Sequence, residues 1–220
     1  MRYSQNLLHQ GTLLVLSGPS GSGKTTVCKR LLQNRENLHF SVSCTTRPPR
    51  RNETEGRDYY FLDDTAFDHK IQQGAFLEYA RVHGHSYGTL RQEVEHYISR
   101  DMDVLLDIDT QGAAAVRERI RHTPLQDCTI QTFLGPPSLA EMEHRLRTRG
   151  TDDEGTILRR LENARAELSE WSKYDYLVIN HTPEQAERDI AALLSASRCA
   201  TSRYAAPPWA SLHNDGQRSW

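Results

Sequence analysis

The stretch TLLVLSGPSGSGKTT, residues 12–26, sets the frame for the whole chain. Its first six residues are a continuous apolar run that stops at a glycine, which suits a strand buried on both faces of a parallel sheet. Gly18, Gly21 and Gly23 let the backbone curl so that successive N–H groups point inward. A helix follows, with Val27 and Leu31 spaced i, i+4. GPSGSGKT fits the pattern G-x-x-x-x-G-K-[ST], in the strand-to-helix context that pattern requires. The helix start adds its partial positive end. Lys24 can reach outer phosphates, and the Thr25 hydroxyl can ligate magnesium. The loop Gly18, Pro19, Ser20, Gly21, Ser22, Gly23, Lys24, Thr25 and Thr26 is therefore expected to hold a nucleoside triphosphate.

Outward from this loop, strands alternate with helices. DVLLDID (103–109), CTIQTFL (128–134) and YDYLVIN (174–180) read as buried strands, and HFSVSCT (39–45) as a weaker one. Ser138 and Glu141 form a capping box for LAEMEHRLRTR, and Gly150 can end that helix. Leu139, Met142 and Leu146 anchor it. Ile157, Leu161, Ala164, Leu168 and Trp171 share one face of the next helix. Thr182, Pro183 and Gln185 mark another helix start. This order predicts an α/β fold, a parallel core sheet flanked by helices. Residues 45–89 break the rhythm. They are rich in charge, turns and aromatics, and YYFL and FLEYARV read as short exposed strands around a helix containing Phe67 and Ile71. This segment is an insertion beside the core. Residues 138–170 form an arginine-studded helix pair, a candidate mobile flap. The tail beyond about Ser197 has no periodicity and is expected to be loose or docked through Trp209.

Composition narrows the class. The 220 residues are 37% hydrophobic and 25% charged, enough for one core with a small inserted lobe. No window approaches a membrane span. MRYSQNLLHQ has no apolar segment of the secretory type, so the expected compartment is the cytosol. Cys28, Cys44, Cys128 and Cys199 are scattered, which argues for reduced thiols and against a disulfide frame or a zinc site. A net charge of −2 gives no global field for nucleic acid. Lysine occurs only at 24, 29, 70 and 173, so 23 of the 27 basic residues are arginine. Arginine grips phosphate with a planar, two-pronged donor set.

Three further elements carry chemistry. VLLDIDTQG is an apolar strand ending in Asp107 and Asp109, and its end lies beside the phosphate loop in a parallel sheet. Two aspartates there can cap the next helix; beside a phosphate loop, Asp107 is better placed to support a metal through its water shell. SCTTRPPR sets Arg47 and Arg50 three residues apart with prolines stiffening the backbone. Two converging guanidiniums make a dianion site, and Tyr59 and Tyr87 can add hydroxyl donors. A basic surface loop would have the same composition. Glu78, in AFLEYA, is a carboxylate flanked by apolar residues.

With these residues in place, the sequence resembles the guanylate kinases. The resemblance runs from about Leu13 to Leu194 and rests on seven motifs in order: GPSGSGKTT, SVSCTTRPPR, EGRDYYF, FLEYARVHGHSYGT, LLDIDTQG, RLRTRG and YDYLVIN. It implies a P-loop kinase with an inserted mixed-strand GMP-binding lobe and a helical lid, converting ATP and GMP to ADP and GDP with Mg²⁺. It implies that Arg47, Arg50, Tyr59 and Tyr87 hold the GMP phosphate, with Gly88 alongside. Ser43, Glu78, Thr89 and Asp109 match residues that read guanine. Arg145, Arg149 and Arg160 match lid arginines that clamp the transferring group, and Asn180 a residue near the adenine. Asp107 and Thr25 fall at the metal. The implied division is core over 1–44, 96–136 and 171–197, GMP-binding lobe over 45–95, lid over 137–170, and a tail over 198–220. Thr89 stands where many relatives carry serine, which keeps the hydroxyl.

The chemistry agrees with this set. Guanine presents N1–H and an exocyclic amine side by side, and one carboxylate accepts from both. Arg145 and Arg149, spaced i, i+4, share a helix face. Among the ten histidines, no histidine–acid pair stands out in the sequence as a general base. None is needed, because a phosphate monoester has its second pKa near ~6 and is mostly dianionic at neutral pH. Two other readings compete. A non-enzymatic phosphopeptide-binding module of the same fold would typically lose the intact phosphate loop, yet Lys24, Thr25 and Asp107 are present. A kinase acting on a sugar phosphate would lack the guanine-reading set.

Overall fold

A computed structural model describes residues 11–82, 84–148 and 154–204. Strand β1 (Leu13–Ser17) lies at the centre of a five-stranded sheet. It pairs in parallel with β7 (Asp103–Asp107) on one side and β8 (Thr129–Gly135) on the other. β2 (Leu38–Phe40) pairs beside β7, and β9 (Tyr176–Ile179) closes the far edge beside β8. Side chains alternate across β1. Leu14 and Leu16 face one layer, with Val27 and Leu31 of helix α1 (Lys24–Asn34) and Ile190 and Leu194 of helix α8 (Pro183–Ser197). Leu13 and Val15 face the other, with Val94 and Ile98 of helix α3 (Arg91–Ile98) and Ala113 and Val116 of helix α4 (Thr110–Ile120). Burying each large aliphatic side chain contributes roughly 1.5–3 kcal/mol, so packing on both faces anchors β1 at the centre, and the parallel pairing puts the C-terminal ends of the strands on one edge. The short helix α5 (Pro124–Asp127) leads into β8.

A second, mixed sheet of four strands stands beside the first, in the order β4 (Tyr60–Phe61), β3 (Cys44–Thr45), β6 (His85–Leu90), β5 (Phe76–Val82). Helix α2 (Asp64–Gln72), capped by Asp63, puts Phe67 against Phe76, with ring centroids 4.6 Å apart. Helices α6 (Leu139–Thr148) and α7 (Glu154–Leu168) pack through Met142, Leu146 and Ala164.

Several local expectations are corrected. HFSVSCT does not form one strand. The chain leaves the core sheet at Phe40 and joins the second sheet at Cys44, with the Ser41 amide still donating to the Leu105 carbonyl between them. FLEYARV is not simply exposed, because Phe76, Leu77 and Glu78 are buried. β9 is an edge strand, and its Tyr176 and Leu177 are exposed. Trp171 is not on the α7 face; the helix ends at Leu168 and Trp171 sits exposed in a single 3-10 turn. Leu139, in the first turn of α6, is exposed, while Met142 and Leu146 anchor that helix. Both boxes are half-formed. Ser138 accepts from the Glu141 amide, but Glu141 turns to Arg145, and Gln185 likewise turns to Asp189. Gly150 and Trp209 lie outside the described residues.

Candidate active site

The loop after β1 opens the site. Gly18, Gly21 and Gly23 have φ of 146°, 87° and 92°. A Cβ on Gly21 would sit 3.0 Å from Met142 Cγ, and one on Gly23 would sit 2.4 Å from Asn180 Nδ2. Both glycines are thus required by conformation and by space. Helix α1 starts at Gly23 with no side-chain cap, leaving its first amides to an anion. The Lys24 ammonium rests on the Gly18 carbonyl at 2.6 Å. The Thr25 and Thr26 side chains face outward.

Asp107, at the end of β7, pairs in register with Leu16 of β1, two residues before Gly18 opens the loop. Burial pushes its carboxyl above the ordinary range, against the pull of the Lys24 ammonium and a hydrogen bond with the Cys28 thiol. Asn180, almost fully buried after β9, donates from Nδ2 to the Ser22 carbonyl at 2.7 Å. Arg145 reaches over the loop from α6, with Nε on Glu141 and Nη2 on the Asn180 carbonyl. A cavity of about 370 Å³ separates Asp109 and Thr110 from Asn163, Glu167 and Glu170 of α7 and the turn after it.

Beside Asp109, the second sheet presents Glu78. It is 7% exposed, and its Oε1 accepts from the Thr89 hydroxyl at 2.7 Å. Burial raises its pKa, Thr89 offsets this, Asp109 adds to it, and the Arg119 guanidinium is the cation that acts against it. Asp109 caps α4, Oδ1 accepting from the Gly112 amide at 2.7 Å. A Cβ on Gly112 would lie 3.4 Å from both Asp109 Oδ1 and Glu78 Oε2, so the two carboxylates converge on one bare backbone position. Gly88 has no room for a side chain either, with Phe76 Cδ1 2.9 Å and the Glu78 carbonyl 3.0 Å from a Cβ placed there.

A third group sits at the strand ends. Arg47 Nη2 reaches both oxygens of Glu53 at 2.8 and 2.9 Å, and its guanidinium lies 5.4 Å from the Tyr59 ring centre. Tyr59 and Tyr87 meet edge to face at 6.1 Å. Glu53 holds the Arg47 pKa up, with a smaller contribution from the Tyr87 hydroxyl.

The family model described as guanylate kinase matches residues 10–197. The chain belongs to the guanylate kinase family. Guanylate kinases of Thermotoga maritima and Nitrosomonas europaea are 43% and 46% identical to it, over 88% and 87% of this chain and 91% and 92% of theirs. The crystal structure of guanylate kinase from Anaplasma phagocytophilum superposes with a TM-score of 0.69 at 34% identity, over 93% of each chain.

Of the positions expected from the guanylate kinase resemblance, the fold gathers three groups. The phosphate loop stands with Asp107, Arg145 and Asn180; Glu78 stands with Thr89 and Asp109; Arg47 stands with Tyr59 and Tyr87. Arg50 is exposed, and the contact it makes to Glu53 is through its backbone amide. Ser43 offers its carbonyl to the Tyr60 amide. Arg160 is half-buried on α7, and Arg149 lies outside the described residues. Three contacts escaped the sequence reading. Glu53 neutralises Arg47, Asn180 braces the phosphate loop, and Arg147 bridges Glu143 of α6 to Glu154 of α7. Glu53 lies six residues after Arg47 in a charge-rich turn, where many pairings are equally compatible with the sequence.

Proposed function

We propose that this chain transfers the γ-phosphoryl group of ATP to GMP, and to dGMP with the same base, giving ADP and the nucleoside diphosphate. The observation that carries this reading is the combination of a glycine loop opening an uncapped helix, with Asp107 beside Lys24, and a buried carboxylate, Glu78, that converges with Asp109 at Gly112. The loop amides and Lys24 hold the donor's phosphates. Glu78 accepts from guanine N1–H and the exocyclic amine; adenine would leave it badly paired. Sites built to bind a specific polar edge reject analogues by roughly 10⁴–10⁵-fold. Arg47, Arg50, Tyr59 and Tyr87 receive the GMP phosphate, with Arg47 exchanging Glu53 for the substrate. Ser43, Gly88 and Thr89 complete the acceptor pocket.

The donors near Lys24 fit magnesium. The exposed Thr25 hydroxyl and the Asp107 carboxylate are hard oxygen donors, and no cluster of three metal-binding side chains occurs among the described residues. Magnesium characteristically keeps several waters and takes one or two protein oxygens plus substrate phosphates. When bound, it neutralises charge on the transferring phosphoryl group. Residues 137–170 act as a lid: Arg145 of α6 and Arg160 of α7, together with Arg149, spread positive charge over that group. Closure also keeps water from accepting it. The acceptor phosphate needs no general base, so alignment and charge supply the catalysis. A cytosolic setting suits four free thiols.

The test is a coupled assay of ADP formation with ATP and Mg²⁺ against GMP, AMP, CMP and UMP. Activity confined to GMP is the expected result. Equal rates with AMP, or none with any monophosphate, would overturn the reading.

A further inference from the structure

Strand β5 carries an irregularity beside the specificity carboxylate. Phe76 pairs with Leu90 and Glu78 with Thr89, so Leu77 is an extra residue opposite one bond of β6. Such a bulge turns two successive side chains to the same side. The packing agrees. Leu77 joins the core cluster with Val94 and Ala113, and Glu78 Oε2 lies at Gly112, so both face α4. Phe76 and Tyr79 fall together on the opposite side, with ring centroids 6.1 Å apart. In an unbroken strand Glu78 would share the face of Phe76 and point toward Phe67.

The bulge lies on the sheet's last strand, and α4 covers it. From the last turn of α4, Arg119 Nη1 donates to the Phe76 carbonyl at 2.7 Å, the residue where the register shifts. The same guanidinium lies over the Tyr79 ring, 4.7 Å from its centre. The Arg119 carbonyl in turn accepts from Arg91 Nη2 at 3.3 Å. One side chain therefore grips the residues on both sides of the Leu77–Glu78 pair.

We propose that Arg119 is a positioning residue for substrate specificity: by holding the Phe76 carbonyl and the Tyr79 ring, it fixes the bulge that aims Glu78 at the guanine edge. The inference rests on the reading of Glu78 given above. Arg119 does not touch the substrate in this account; it acts through the backbone of β5.

The test compares Arg119→Met, Arg119→Lys and Glu78→Gln in the full chain, measuring kcat, the KM for each substrate and the preference for GMP over IMP, which lacks the exocyclic amine. Arg119→Met is expected to raise the GMP KM about tenfold and to lower the GMP-over-IMP preference by a similar factor. The ATP KM should stay within about twofold. Lysine, which can still donate to the Phe76 carbonyl, should recover part of the preference. A preference unchanged by Arg119→Met, or equal rises in both KM values, overturns the proposal. If the Met variant melts below the assay temperature, Tyr79→Leu removes only the stacking platform and carries the same expectation and the same overturning result. Glu78→Gln separates the two layers. An unchanged preference in that variant overturns the role of Glu78 and the proposal with it, whereas a loss there with none in Arg119→Met overturns the role of Arg119 alone.

Discussion

Lys24 rests on the Gly18 carbonyl, and in the proposed reaction it turns from that acceptor to the donor's phosphates. Its removal should therefore affect the moving charge far more than acceptor binding. Lys24→Ala is expected to lower kcat by roughly 10²–10³-fold. GMP affinity, followed by calorimetry, should remain within about twofold. Glu78 gives a pH signature. Burial raises its pKa above the ordinary 4.5, so the folded state binds this proton more tightly than the unfolded chain. The resulting stabilisation is complete below pH 4.5 and is lost as pH rises through the raised value. Gln is a neutral isostere that can still accept from Thr89. Glu78→Gln should thus melt above the parent protein at neutral pH, with the gain vanishing at pH below 4.5. A gain that persists unchanged into acid would show that the carboxyl is ionised at no cost. In the proposed reaction the carboxylate is the form that reads guanine, so the acid limb of kcat/KM for GMP should lie above the range of an ordinary glutamate.

Elements, more than single residues, hold the phosphate loop in shape. Met142 and Leu146 of α6 crowd Gly21, and Asn180 after β9 crowds Gly23 while binding the Ser22 carbonyl. Asn180→Ala should free one buried carbonyl and loosen the curl, raising the ATP KM about tenfold with the GMP KM unmoved. Steady-state titration of each substrate at saturating levels of the other reads this directly. The loop was legible because its signal is local: three glycines, a lysine and a hydroxyl between an apolar run and a helix. The three central strands β1, β7 and β8 were legible for a related reason, since strands buried on both faces need unbroken apolar runs, whereas the edge strands β2 and β9 carry exposed residues and were misread in extent or burial. The Leu77 bulge was not. FLEYARV reads equally well in either register, and α4, more than thirty residues on, decides between them. The Asn180 brace was obscured because its partner is a backbone carbonyl 158 positions away, which no side-chain pattern records. Trp171 misled for the opposite reason. Its spacing continues the α7 face, yet the helix has already ended at Leu168.

Across the whole molecule, parallel strands separate two jobs. The C-terminal ends of β1 and β7 carry the phosphate loop, Asp107 and Asp109, as open α/β sheets favour. Their N-terminal ends gather a polar cluster built from the segment after α8. Arg203 is 1% exposed and donates to the Gly11 carbonyl at 2.6 Å and the Thr12 hydroxyl at 2.9 Å. Arg198 bridges Asp101 and the fully buried Asp103, which also accepts from the Thr12 amide. The segment expected to be loose or docked by Trp209 is fastened here, over residues 198–204, by arginines in a stretch without periodicity. Arg203→Met keeps much of the side-chain volume and removes the donors, leaving buried acceptors without them. Loss of charged hydrogen bonds of this kind should lower unfolding free energy by about 2–3 kcal/mol, read by urea denaturation. The sheet's length lies between this cluster and the cleft, so both KM values and kcat should stay within about twofold of the parent. A shifted GMP KM with undiminished stability would mean that the end of the chain communicates with the acceptor pocket, and the separation of roles along the strands would not hold.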